Sequence, residues 1–205
     1  EILAILPDDF RQRFTSLLGM EEADALNALT FIAALHDIGK ISPGFQSKRM
    51  DLCGSLTENG FPFRAGSEPS HPCVNIDVVY DILTQEFGCN EEAADAMTRV
   101  LAAHHGAFLT RSDRGKGTGP WVEARKDVAV FLAEQFGVQS LESLRVKELP
   151  DLLLLAGLVS VADWIASADE NFDYTNGQPS DLPTYLNDRT MKARCLIQEL
   201  NMGTE

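Results

Sequence analysis

Leu35-His36-Asp37-Ile38-Gly39-Lys40 is the stretch on which the reading of this chain turns. It sets an imidazole and a carboxylate side by side at the end of an apolar helical run, then a glycine and a lysine. Upstream, Leu26, Leu29, Ala33 and His36 recur at three- and four-residue steps, the repeat of one helical face, so His36 falls on a buried stripe. Gly39 reads as the helix stop. Neighbouring positions on a helix diverge by roughly 100°, so His36 and Asp37 reach a common ion only from beside it, near the helix end. On this reading the domain is arranged to hold metal ions around Asp37.

The remaining histidines fit the same view. The chain has four, His36, His71, His104 and His105, and each falls at a helix end or on an apolar helical stripe. Imidazole and carboxylate together are the ligand set of first-row transition metals. Asp163 stands in the most apolar helix of the chain, where a carboxylate needs a positive partner. Taken singly, each has a plainer explanation. His36 would serve as a satisfied core residue, His104 and His105 as a pair favoured by a helix C-terminus, and Asp163 as a cap or a partner for an arginine. The joint pattern is harder to explain that way.

The helical period dominates the chain. Pro7 starts a helix to about Leu18, and Glu21 and Glu22 open the one that ends in the quoted stretch. From Ile41 to Ser70 the sequence is rich in Gly, Pro, Ser and Asn and reads as a long loop with short helical turns at most. His71-Pro72 opens the next helix, with Val74, Val78, Ile82 and Leu83 on its core face. Asn90 caps another, with Met97, Val100, Leu101 and His104 along one side. Arg111 to Pro120 is a polar, glycine-rich, locally basic loop. Trp121 to Phe136 turns Ala124, Val128, Phe131 and Leu132 inward. Pro150 to about Ser167 is apolar nearly all round and is expected at the centre of the fold. Asp169 to Ser180 is rich in turn residues, and a more polar helix closes the chain. The class is all-α, a helical bundle with a metal site between helices.

The 205 residues suffice for one well-buried domain. No run approaches the roughly 18 uninterrupted apolar residues of a membrane helix, so no membrane partner is expected. There is no signal sequence at the start, and the expected location is cytoplasmic. The opening Glu1-Ile2-Leu3-Ala4-Ile5-Leu6 begins mid-pattern without an initiator Met, as expected of an excised or processed piece. Cys53, Cys73, Cys89 and Cys195 follow no C-x-x-C spacing and read as reduced thiols. A formal charge of −14 argues against a broad phosphate-binding surface. Any nucleic acid must be gripped locally or delivered by a partner.

The stretches HDIGKISPGFQSK (36–48), AAHHGAF (102–108) and LVSVADWIAS (158–167), with His71 between the first two, resemble the HD-domain metallohydrolase superfamily. Within it, the chain is most similar to the HD nuclease domain of the CRISPR-associated nuclease-helicase of type I systems. LPTYLNDRTMKARCLIQEL (182–200) resembles the segment leading into that family's helicase domain. The resemblance implies an HD metal-dependent nuclease domain over 1–168 with its N-terminal helix truncated. It further implies a linker over 169–182 and a C-terminal helix over 183–205 leading toward a helicase.

The resemblance also implies one or two divalent ions: Mn, Fe, Co or Ni, with Mg as a further candidate. His36 and Asp163 would hold one ion, His71, His104 and His105 the other, and Asp37 would bridge both. Two ions about 3.5–4 Å apart clamp a phosphodiester and bring a bound water's pKa to about 7. Lys40 would neutralise a phosphate oxygen in the transition state or serve as a cation at a helix C-terminus. Ser160 would support a ligand by hydrogen bonding or pack between helices. Lys48, Arg49, Arg111, Arg114 and Lys116 would contact single-stranded DNA or stay solvated.

One departure stands out. The family pattern begins with a further His upstream of the HD pair, and here no His precedes His36. Either the sequence begins just after that ligand or this version lacks it. In both cases the ion of His36 and Asp163 is expected to be short of a ligand and more weakly held than the other.

Three functions remain open at this point. The first is a nuclease degrading single-stranded DNA in CRISPR antiviral defence, as endo- or exonuclease, with a fused or separate helicase and a CRISPR surveillance complex as partners. The second is an HD phosphohydrolase of nucleotides or cyclic dinucleotides. The third is a catalytically impaired docking domain, including the target of a protein inhibitor.

Overall fold

Leu29, Ile32, Leu35 and Ile38 continue one apolar line across the end of a helix, and that line builds the centre of the molecule. In the computed structural model, which describes residues 2–63, 71–106, 115–146, 149–168, 172 and 181–200, these four are almost completely buried. They belong to α3 (Glu22–Ala34) and to the 3₁₀ turn Leu35–Lys40 that prolongs it. Two further helices, α6 (His71–Gln85) and α7 (Glu91–Ala102), pack side by side and close over that turn. Val74, Val78, Val79, Leu83, Met97 and Leu101 interlock there, each at most 3% exposed. Burial of each such side chain contributes about 1.5–3 kcal/mol.

The other elements surround this centre. They are α1 (Ile2–Ile5), α2 (Asp8–Leu18), α4 (Pro43–Gln46), α5 (Met50–Glu58), a 3₁₀ turn over Ala103–His105, α8 (Pro120–Phe136), α9 (Leu149–Ser167) and α10 (Leu182–Glu199). No strand occurs among the described residues, as expected of an all-α chain. No helix among them is long and apolar enough to cross a membrane. The Asn90 cap forms as read: its Oδ1 accepts from Ala93 N–H at 3.0 Å, and its Nδ2 donates to Leu144 O at 2.6 Å.

Gly39 does not have the role its sequence position suggested. It does not adopt the left-handed backbone of a helix stop, and the 3₁₀ turn runs through it to Lys40. Its missing side chain is needed for a different reason. A Cβ there would lie 2.6 Å from His71 O and 2.9 Å from Asn75 N. Only glycine lets the turn lie directly on α6.

Three other expectations are corrected. The stretch after Ile41 contains the nine-residue α5, which buries none of its residues and so shows no apolar period. On α8 the inward face is Trp121, Arg125, Ala129 and Ala133, while Val128 is exposed. Arg125 is 3% exposed because its Nη1 donates to Ile41 O at 2.7 Å and Lys116 O at 2.5 Å, so the buried cation is hydrogen-bonded. Helix α9 lies at the side of the bundle. Leu152, Leu155, Ala156 and Val159 face in, but Leu153 and Trp164 are 52% and 70% exposed. Apolar composition on every face did not mean burial on every face. Of the 169–182 linker, residues 169–171 and 173–180 lie outside the described residues.

Gly39→Ala should cost about 1–3 kcal/mol, since the clash is with backbone that cannot step aside. It will be read as a lower denaturant midpoint at unchanged m-value. Gly54→Ala on α5, where an added Cβ meets nothing within 4 Å, is the control and should be neutral or stabilising.

Candidate metal centre

A helix ends with carbonyls that have no intrahelical donor, and twice in this chain a histidine ring supplies one. After α3 the backbone tightens into the Leu35–Lys40 3₁₀ turn, and the second residue, His36, turns its ring back. Its Nδ1 lies 2.9 Å from Ala33 O. After α7 the Ala103–His105 turn repeats the device, with His104 Nδ1 against Leu101 O. A carbonyl only accepts, so Nδ1 carries the hydrogen in both rings. Each Nε2 therefore presents its lone pair, the tautomer a metal ligand requires.

Both Nε2 atoms are aimed at Asp37, which the tight turn places next along the chain from His36. Asp37 Oδ2 lies 3.4 Å from His36 Nε2 and 2.5 Å from Lys40 Nζ. Its Oδ1 lies 3.2 Å from His71 Nε2 and 4.0 Å from His104 Nε2. His71, the first residue of α6, makes a T-shaped contact with the Phe45 ring, with centroids 5.3 Å apart. Across the site, Asp163 of α9 puts Oδ1 3.5 Å from His36 Nε2, and Ser167 Oγ donates to the same oxygen at 2.9 Å.

Two triads result, Asp37–His71–His104 and His36–Asp37–Asp163. In each, the possible ligand atoms lie within 4.8 Å of one another, and Asp37 is common to both. Donors about 2.0–2.2 Å from a shared ion stand roughly 3–3.5 Å apart, which the His–Asp37 separations of 3.2 and 3.4 Å match.

The electrostatics agree. His36 Nε2 and Asp37 Oδ1 are buried without a hydrogen-bond partner among the described residues. His36 has its one ring hydrogen on Ala33, so its Nε2 lone pair faces carboxylate lone pairs. Acceptors facing acceptors call for a cation between them. Burial opposes the charged form of His36, but Asp37, the Ala33 carbonyl and Asp163 outweigh it and leave the pKa raised. Burial likewise opposes the charge on Asp37. The His36 and His71 rings and the Lys40 ammonium beside it overcome that and hold the carboxyl far below the usual range. Asp37 therefore stays ionised, the form a bridging ligand needs.

The other sequence candidates fall out differently. Ser160 Oγ lies 3.0 Å from both His104 O and Ala156 O, so it steadies the His104 turn through its backbone. Arg49 is paired with the neighbouring Asp51, both exposed. Lys116 is not a free cation: it is half-buried against Asp77 and lies 3.3 Å from Asp81. Lys48 is exposed and rests over the Phe45 ring. The side chain of His105, and Arg111 and Arg114 entirely, lie outside the described residues.

Sequence reasoning missed Asn75. It is wholly buried one turn along α6 from His71, and its Oδ1 accepts from Gly39 N–H at 2.8 Å. It thereby ties the Asp37 turn to the His71 helix. The available signal was an asparagine four residues after a candidate ligand, inside the apolar run Val74 to Val79.

Known proteins match most of this chain. The family described as Cas3, HD domain, matches residues 3–172. The CRISPR-associated endonuclease/helicase Cas3 of Thermus thermophilus is 27% identical over 182 residues, 84% of this chain and 20% of that protein. The chain thus spans about a fifth of that relative's length. A crystal structure of a CRISPR-associated protein superposes with TM-score 0.87 at 30% identity, covering 98% of this chain and 24% of that one. The Thermus thermophilus Cas3 HD domain, solved in the presence of Ni²⁺, gives TM-score 0.73 at 23% identity over 97% of this chain and 78% of that one.

Removing Asp37 should disable both triads, whereas Asp163→Ala should weaken only one. Metal titration followed by calorimetry should show Asp37→Ala losing tight binding altogether. Asp163→Ala should lose more than about 10²-fold at one ion only, beyond the 10–100-fold typical of supporting partners. Equal damage at both ions in Asp163→Ala would show that the triads are not separate sites.

Proposed function

The chain belongs to the Cas3 HD-domain family, and from that premise we propose that it is a metal-dependent nuclease that hydrolyses phosphodiester bonds of single-stranded DNA. The observation that carries this is the pair of triads sharing Asp37. A carboxylate offers two oxygens to two ions, which a neutral imidazole nitrogen cannot do. His71, His104 and, by its place in the sequence, His105 would hold one ion, and His36 and Asp163 the other. Bound there, divalent metal supplies Lewis acidity toward a phosphoryl oxygen and lowers the pKa of a water.

The chain's own residues do the rest. The Ala33 and Leu101 carbonyls fix the rings of His36 and His104 in the ligating tautomer. Asn75 and the bare Gly39 backbone hold Asp37 and His71 at their spacing. Lys40 stands at the edge of the site with its ammonium on Asp37, where it would neutralise a non-bridging phosphate oxygen.

The strand is proposed to be delivered by a helicase, fused or separate, within a CRISPR surveillance complex in the cytoplasm. That arrangement suits a domain of charge −14, because the partner provides most of the backbone affinity. A protein inhibitor is a further partner such a site would attract. That the Thermus thermophilus Cas3 HD domain was solved in the presence of Ni²⁺ supports Ni²⁺ among the ions to test.

The test strips the protein of metal, then offers Mn²⁺, Fe²⁺, Co²⁺, Ni²⁺ or Mg²⁺ with labelled single-stranded DNA, duplex DNA or a cyclic dinucleotide. Cleavage of the single strand with a transition metal is expected, falling to background in Asp37→Ala. Turnover of the cyclic dinucleotide alone would move the assignment to the nucleotide hydrolases. Metal loading without turnover of any substrate would point to a docking role.

A further inference from the structure

The ring of Phe45 is bordered by two ammonium groups and by a metal-ligand candidate. Lys48 Nζ lies 4.5 Å from its centroid and Lys40 Nζ 5.6 Å, while the His71 ring makes a T-shaped contact with it, centroids 5.3 Å apart. The local fold holds it there. Ser42 Oγ caps the Phe45 N–H, and Gln46 Nε2 donates to Lys40 O at 3.0 Å.

The two lysines are not equivalent. Lys40 is neutralised by Asp37, whereas Lys48 has no carboxylate partner among the described residues. The next cation, Arg49, is taken up by Asp51. On a protein of charge −14, an unneutralised ammonium steadied on an aromatic face, one ring removed from the metal centre, is set to receive an anion.

We propose that Lys48, resting on Phe45, binds a phosphate of the substrate strand next to the one being cleaved, so that the site selects a polynucleotide over an isolated phosphodiester. This rests on the nuclease reading and deepens it. Lys48 touches neither the metal ligands nor the reacting phosphate, so its loss should weaken strand binding and leave the chemistry intact.

The test uses the whole chain, wild type and Lys48→Gln, with a short single-stranded oligonucleotide and with bis(4-nitrophenyl) phosphate, which carries one phosphodiester and no neighbour. Binding of the labelled oligonucleotide is measured by anisotropy with Ca²⁺ across a salt series, and turnover of both substrates with Mn²⁺. Lys48→Gln should weaken oligonucleotide binding about 3–10-fold and reduce the slope of log K against log salt by about 0.7, one phosphate contact on a single strand. Its turnover of the small diester should equal wild type, and Lys48→Arg should restore oligonucleotide binding. In a double-mutant cycle, Phe45→Leu and Lys48→Gln should be non-additive.

Unchanged affinity and slope in Lys48→Gln would overturn the proposal. So would an equal loss on both substrates, which would place Lys48 at the metal centre itself. Strict additivity in the cycle would overturn the part assigned to the ring. Should wild type cleave neither substrate with any metal, the nuclease reading falls, and the salt slope still decides the phosphate contact.

Discussion

Backbone contact between the 3₁₀ turn after α3 and the first turn of α6 is the constraint on which the rest depends. Asp37 belongs to one and His71 to the other, thirty-four positions apart in the chain. Their carboxylate and imidazole can stand 3.2 Å apart only because the two backbones touch at Gly39. The contact is closed by a hydrogen bond from that glycine to the buried Asn75 and wrapped by apolar side chains on both sides. A hydrogen bond shielded from water in this way keeps its geometry. The separation of the two candidate ligands is therefore a property of the core.

The second ordering principle is economy at helix ends. Unfilled carbonyls at a C-terminus are ordinarily met by water, glycine motifs or basic side chains. At the ends of α3 and α7 they are met by the histidines that would ligate metal. The same hydrogen bond thus finishes the helix and sets the tautomer. The two helices differ in sequence and in burial, yet both deliver an imidazole lone pair to Asp37. Helix α9 contributes in another way: it lies at the side of the bundle, so Asp163 reaches the site from its rim, while Trp164 beside it faces solvent.

Much of this was legible in the residues. His71-Pro72 and Asn90 announced helix starts because the chemistry of a helix start is local. The histidines, Asp37 and Asp163 stood out because their types fit one kind of chemistry and their positions fit no plainer one jointly. What escaped was relational. Helix α5 buries nothing, so no apolar period betrayed it. Arg125 faces inward because two carbonyls from distant segments await it, and no local pattern shows that. Gly39 looked like a helix stop, since a glycine required by a neighbouring backbone and one required by its own dihedral read alike. Asn75 was hidden for the same reason: its partner lies on another element.

Because those candidate ligand atoms are gathered by protein contacts, folding and not the ion would bear the cost of assembling them. A cage of mixed imidazole and carboxylate donors, already aimed, has little means of refusing one first-row divalent cation in favour of another. Affinity would then follow the general order that rises from manganese through iron, cobalt and nickel. The ion in residence would be a record of supply: the metal quota of the cell, or the resin over which the protein was purified.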